Sequence, residues 1–156
     1  MRARLVISVA CFVAFLAGCG SADESTPIAC LEGAGAYERA LKAAPDEVLL
    51  GDETLISECL TRNQSGGDIS RVGEAAIETA TRLNAEAREE PEGEAATQLG
   101  YLLGAVERGS EESEGIHADL VRRLTVAARY APGRQPLPPA FYRGYRDGYA
   151  AGQSNG

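Results

Sequence analysis

Leu99-Gly100-Tyr101-Leu102-Leu103-Gly104 and Gly144-Tyr145-Arg146-Asp147-Gly148-Tyr149-Ala150-Ala151-Gly152 are the stretches that decide how this chain folds. In both, glycines recur every four residues, so on a helix they form a stripe without side chains along which a second backbone can approach closely. A glycine inside a helix costs about 1 kcal/mol relative to alanine. Close contact between the two stripes would account for that repeated cost, so the helix carrying Gly100 and Gly104 is expected to pack against the one carrying Gly144, Gly148 and Gly152. Beside the second stripe Phe141, Tyr145 and Tyr149 also recur every four residues. Aromatic residues at helical spacing read first as core. Together with Arg143 and Arg146, however, Tyr142, Tyr145 and Tyr149 form the one aromatic-basic group of the chain, and Tyr142, Tyr145, Arg146 and Tyr149 are the candidate partner surface.

Working outward from these stretches, the apolar spacing is helical almost throughout. Ile69, Val72, Ala76, Ala80, Leu83 and Ala87 form a narrow seam on a helix capped by Asp68 and running to about Glu90. After Pro91-Glu92-Gly93, the residues Leu99, Leu102, Val106, Gly109, Ser113, Ile116, Leu120, Leu124 and Ala127 keep nearly one register. That continuity predicts one long helix over about 94–130. The alternative is a pair of helices that part at 109–114, the second capped by Ser113. Ala131-Pro132-Gly133 ends the pattern, and Pro138-Pro139 opens the last helix. Between Cys30 and Asn63 the periodicity is interrupted. Tyr37, Leu41 and Ala44 share a face before Pro45, Val48-Leu49-Leu50 followed by Gly51-Asp52 reads as an apolar loop, and Thr54 is placed to cap a short helix holding Leu55, Ile56, Cys59 and Leu60. Gln153-Ser154-Asn155-Gly156 reads as a disordered tail. The expected fold is all-α, a single bundle of four to five helices spanning 30–152.

The chain opens with a different kind of segment. Met1-Arg2-Ala3-Arg4 is positive, Leu5 to Leu16 is apolar but for Ser8, and Ala17-Gly18 are small, which are the three regions of a secretory signal. The apolar run is too short to span a bilayer of about 30 Å comfortably. Leu16-Ala17-Gly18-Cys19 resembles the lipobox of bacterial lipoprotein precursors, in which the Cys thiol receives a diacylglyceryl group and cleavage falls just before it. The resemblance implies a signal peptide over 1–18, a lipidated Cys19 at the mature N-terminus, and attachment to the extracytoplasmic face of a bacterial membrane by acyl chains. The small, polar and acidic residues that follow make 19–29 a flexible tether. With Cys11 in the signal and Cys19 lipidated, Cys30 and Cys59 remain. In an oxidising compartment two remaining cysteines are expected to form a disulfide.

The formal charge of −8 over 156 residues argues against nucleic acid as a partner. Loss of Arg2 and Arg4 with the signal leaves 13 basic residues against 23 acidic ones, which also disfavours a polybasic grip on anionic lipid. No catalytic motif appears. Gly33-Ala34-Gly35 lacks the third glycine of a dinucleotide fingerprint, and there is no P-loop and no Gly-x-Ser-x-Gly. His117 is the one histidine, and with Glu114 it gives Glu-x-x-His, half of a di-iron arrangement whose other half is missing. Asp119, two residues along, points away from it on a helix. Glu89-Glu90 and Glu111-Glu112 sit where solvation explains them. No catalytic residue, metal ligand or cofactor is therefore assigned. The expected function is a non-catalytic interaction or structural module tethered to the membrane through Cys19, binding an envelope protein or glycan. The alternative is a small helical enzyme or a ligand or metal binder using His117 with nearby carboxylates. From Cys30 onward, including Leu99 to Gly104 and Gly115-Ile116-His117, the chain resembles only uncharacterised envelope proteins of high-GC bacteria, a resemblance that implies no activity.

Overall fold

The computed structural model describes residues 25–113 and 115–156. The signal segment, the lipobox and Cys19 lie outside the described residues. Among the described residues there are five helices, α1 (Ala34–Ala40), α2 (Gly66–Glu89), α3 (Ala95–Glu112), α4 (Ala118–Ala128) and α5 (Pro139–Asn155). Short 3-10 turns at Ile28–Leu31, Leu41–Ala43, Ser57–Cys59 and Pro132–Arg134 join them. A minimal antiparallel hairpin, β1 (Leu49–Leu50) and β2 (Thr54–Leu55), is the one sheet among the described residues. The fold is thus all-α. Among the described residues no helix is long and apolar enough to cross a membrane.

The centre of the bundle is α3. Ala95, Ala96 and residues 98–106 are buried on every side of the helix, as expected of a helix enclosed by its neighbours. Its partners are α2, α4 and α5, and the contact with α5 is the most extensive. Here the glycine stripes meet. A Cβ on Gly100 would sit 2.0 Å from the carbonyl oxygen of Tyr145, and one on Gly104 would sit 2.4 Å from that of Tyr149. From the other side, a Cβ on Gly148 would lie 1.9 Å from the Thr97 oxygen, and one on Gly152 would lie 2.2 Å from the Tyr101 oxygen. The paired positions rise together along both helices, so α3 and α5 are parallel. By the same reasoning α2 and α4 are parallel, since Gly73 faces Leu120 and Asn84 Nδ2 donates to the Ala128 carbonyl at 2.8 Å.

Cys30 and Cys59 form the expected disulfide, with Cα atoms 5.5 Å apart. Closing a loop of 29 residues stabilises the fold by about 3 to 4 kcal/mol in the chain-entropy description. Both sulfurs lie in the core beside Tyr37, whose hydroxyl donates to the Cys30 carbonyl at 3.2 Å. The enclosed segment differs from the expected loop and short helix. Gly51 and Asp52 take positive φ values of 58° and 67°, which reverses the chain and pairs Leu49 with Leu55 and Leu50 with Thr54. Thr54 is therefore a strand residue and not a helix cap.

Three further expectations are corrected. The helix predicted over 94–130 is two helices, because Gly115 adopts φ 88° and His117, the N-cap of α4, is buried. The break falls at 113–117, just beyond the alternative division at 109–114. Gly109 instead lies inside α3, where a Cβ would stand 2.3 Å from the Ser57 carbonyl oxygen. The cap of α2 is Ser65, whose Oγ accepts from the Asp68 amide at 3.1 Å while donating to the Asp68 carboxylate at 2.9 Å. The residues expected to form a disordered tail extend α5 to Asn155, and Gly156 is buried with its carbonyl accepting from Ser57 Oγ at 2.7 Å.

These glycines are not equivalent. Gly148→Ala is expected to force α3 and α5 apart and lower stability by about 3 kcal/mol. Gly73→Ala, whose Cβ would meet only the Leu120 side chain at 3.5 Å, is expected to raise stability by about 0.5 to 1 kcal/mol. Urea unfolding of the two variants checks the order, and equal effects would contradict the packing described.

Candidate functional site

The break between α3 and α4 builds a buried polar junction. Ser113 and His117 are each 1% exposed. His117 Nδ1 lies 2.7 Å from Ser113 Oγ, and Nε2 lies 2.6 Å from Gln64 Oε1. The amide nitrogen of Gln64 donates to Thr26 Oγ1 at 2.9 Å and to the Cys59 carbonyl at 2.8 Å. The carbonyl can only accept, which fixes the amide orientation and leaves Gln64 Oε1 as the acceptor facing His117. Nε2 therefore carries the proton of the neutral ring and Nδ1 accepts. The Ser113 hydroxyl can donate to Nδ1 or to the Ser110 carbonyl 2.8 Å away.

Chemically, a serine hydroxyl against a histidine nitrogen is the core of an activated nucleophile. Here both groups are sealed from solvent and the outer ring nitrogen is occupied by Gln64, so a substrate or metal would have to displace an existing bond. Asp119 is turned outward to the Arg122 guanidinium at 2.5 Å, as the sequence spacing implies. Glu114 lies outside the described residues. Glu89-Glu90 and Glu111-Glu112 are exposed, with the Glu112 carbonyl accepting from Arg62 Nε at 2.9 Å. Among the described residues no group of three or more His, Cys, Asp or Glu side chains could hold a metal ion.

The junction joins segments distant in sequence. Thr26, 9% exposed, is part of it, and the following residues Ile28–Leu31 form a 3-10 turn. The chain is therefore held from Thr26 onward, inside the span 19–29 that was expected to be flexible to its end.

The aromatic-basic group divides in two. Tyr145 is 7% exposed and stacks on Phe141 with centroids 5.9 Å apart, and burial raises its pKa against the opposing influence of Arg129. The Tyr149 hydroxyl donates to the Glu107 carboxylate, which together with burial pushes it up to about 12. These two tyrosines fasten α5 to the bundle. Tyr142, 51% exposed with its ring edge-on to Phe141, and the exposed Arg146 face solvent. With Arg129, Gln135, Leu137 and Tyr145 they line a cleft of about 370 Å³ where the turn from α4 enters α5. Of the four candidate surface residues, Tyr142, Tyr145 and Arg146 converge on that cleft, and Tyr149 does not. Sequence reading missed Arg129 and the Gln64–His117 contact, which spans 53 residues and leaves no local signal.

Comparison with models of known protein families, with curated proteins and with solved structures found no match.

Burial lowers the pKa of His117 below its ordinary 6.5, so the unfolded chain takes up the proton more readily than the folded one. The stability contributed by the neutral ring is complete above about pH 7.5 and falls as pH drops through about 6.5. Urea midpoints between about pH 7.5 and 5.5 should decline for the wild type and stay flatter for His117→Gln, and identical slopes would remove His117 as the cause.

Proposed function

We propose that the chain is a lipoprotein of the bacterial envelope, held on the extracytoplasmic face of a membrane by acyl chains on Cys19. Its helical domain serves as a non-catalytic module that binds another envelope component. The observation that carries the reading is Leu16-Ala17-Gly18-Cys19 directly after the apolar run Leu5 to Leu16. The disulfide agrees with an oxidising compartment. From Cys19 to the anchored Thr26 an extended chain reaches at most about 25 Å, so the domain would stand close to the lipid surface. The cleft of Tyr142, Arg146 and Arg129 supports the binding half of the reading, because exposed aromatic and guanidinium groups are enriched where proteins meet partners.

Two measurements test the halves separately. Cys19→Ala is expected to move the protein from the membrane fraction to the soluble fraction, and continued attachment would end the tether assignment. Pull-down from detergent-solubilised membranes with Tyr142→Ala and Arg146→Glu is expected to lose the partner that wild type retains. Both side chains are exposed, so the fold should survive, and unchanged recovery would count against this face.

A further inference from the structure

A second groove lies between the parallel helices α2 and α4, and it does not depend on the tether. Its floor is aliphatic, made by Ile77, Ala85, Val126 and Ala127, and it encloses about 540 Å³. Val126, on α4 and off the face where Leu120, Leu124 and Ala128 enter the core, and Tyr130, just past the end of that helix, are 63% and 62% exposed within it. With Ile77, Ala85 and Ala127 they make the apolar surface continuous along the groove, which is what marks a binding surface. Two polar side chains, Thr81 and Asn84, also line it. Thr81 Oγ1 donates to the Ile77 carbonyl at 2.7 Å, and Asn84 Nδ2 donates to the Ala128 carbonyl.

The rim carries the opposite character. Arg88 from α2 and Arg122 and Arg123 from α4 line the groove. Arg122 is paired with Asp119, whereas Arg88 and Arg123 make no hydrogen bond or ion pair among the described residues. These guanidinium groups stand out against the charge of the chain. Residues 115–156 hold six arginines and two acidic residues, while residues 1–114 hold nine basic and 21 acidic ones. An apolar trough edged by unpaired guanidinium groups complements a ligand with an apolar body and an anionic end.

We propose that the α2–α4 groove binds a single-chain anionic lipid, its alkyl chain on the Ile77–Val126 floor and its phosphate or carboxylate head at Arg88 and Arg123. The test is calorimetric titration of the full chain carrying Cys19→Ala with dodecyl phosphate below its micellar concentration. The expected result is saturable one-to-one binding, weakened about tenfold by Arg88→Glu or Arg123→Glu. Val126→Asp should weaken it at least as much. Dodecyltrimethylammonium is expected to bind at least about tenfold more weakly, and inorganic phosphate should not saturate. Circular dichroism and urea unfolding of each variant confirm that a loss of binding is not a loss of fold. Equal affinity for the cationic surfactant, or binding undiminished in all three folded variants, would overturn the proposal. So would saturation of the groove by an acidic amphipathic helical peptide with none by dodecyl phosphate.

Discussion

Backbone lies directly on backbone where α3 meets α5, and much of the fold rests on that contact. With hydrogen in place of a side chain at Gly100, Gly104, Gly148 and Gly152, the carbonyls of each helix reach into the stripe of the other. An added methyl at any of the four positions would overlap a backbone oxygen, and a backbone cannot move aside as a flexible side chain can. The closeness leaves the remaining circumference of α3 to α2, α4 and the Ser57–Cys59 turn, which approaches Gly109 in the same manner. Four segments thus surround one helix. The dense packing that small residues permit brings more atoms into contact along α3 than larger side chains at these positions would allow.

The parts of this arrangement that were legible in the sequence are those with a local cause. Glycines four residues apart declare a helix stripe, and two such stripes suggest each other. Two cysteines left over once Cys11 and Cys19 are given to the expected signal and lipobox suggest a bridge. The parts that were not legible depend on residues far apart. Leu99 through Ala127 keep a continuous helical register, yet the helix breaks, because Gly115 takes a left-handed conformation and His117 turns in to meet Gln64, 53 residues earlier. Gln153 to Gly156 look like a polar tail until Ser57, 99 residues from Gly156, binds its carbonyl. The hairpin at Leu49 to Leu55 is too short for an alternating pattern to register.

The same division runs through the candidate sites. Tyr142, Tyr145 and Arg146 were found as a group by helical spacing, and they do line a common cleft, but spacing alone could not say that Tyr145 is buried or that Tyr149 is turned to Glu107. The α2–α4 groove had a weak signal, the Val126 and Tyr130 pair lying off the core stripe of α4. Its arginines became meaningful only once Arg88 was placed across from Arg122 and Arg123. His117 looked like an isolated chemical group and is instead the centre of a sealed polar junction. Buried polar networks of this kind specify one arrangement of the segments that meet in them.

The bridge between Cys30 and Cys59 also determines how the domain carries load. A pull on the chain ahead of Thr26 first loads the hydrogen bond to Gln64, and four residues later it arrives at Cys30. There the force divides, and the stiffer branch is covalent, passing straight to Cys59 and from there toward α2. Residues 31 to 58, with α1 and the hairpin, are left slack in parallel with the bridge. Tension from that side therefore enters the bundle near the Ser57 turn, where α3 and Gly156, just past α5, are also attached, and α1 cannot be peeled away first. Reduction of the disulfide would reroute that tension through α1 and the hairpin, so the bond sets the mechanical entry point of the fold as well as its stability.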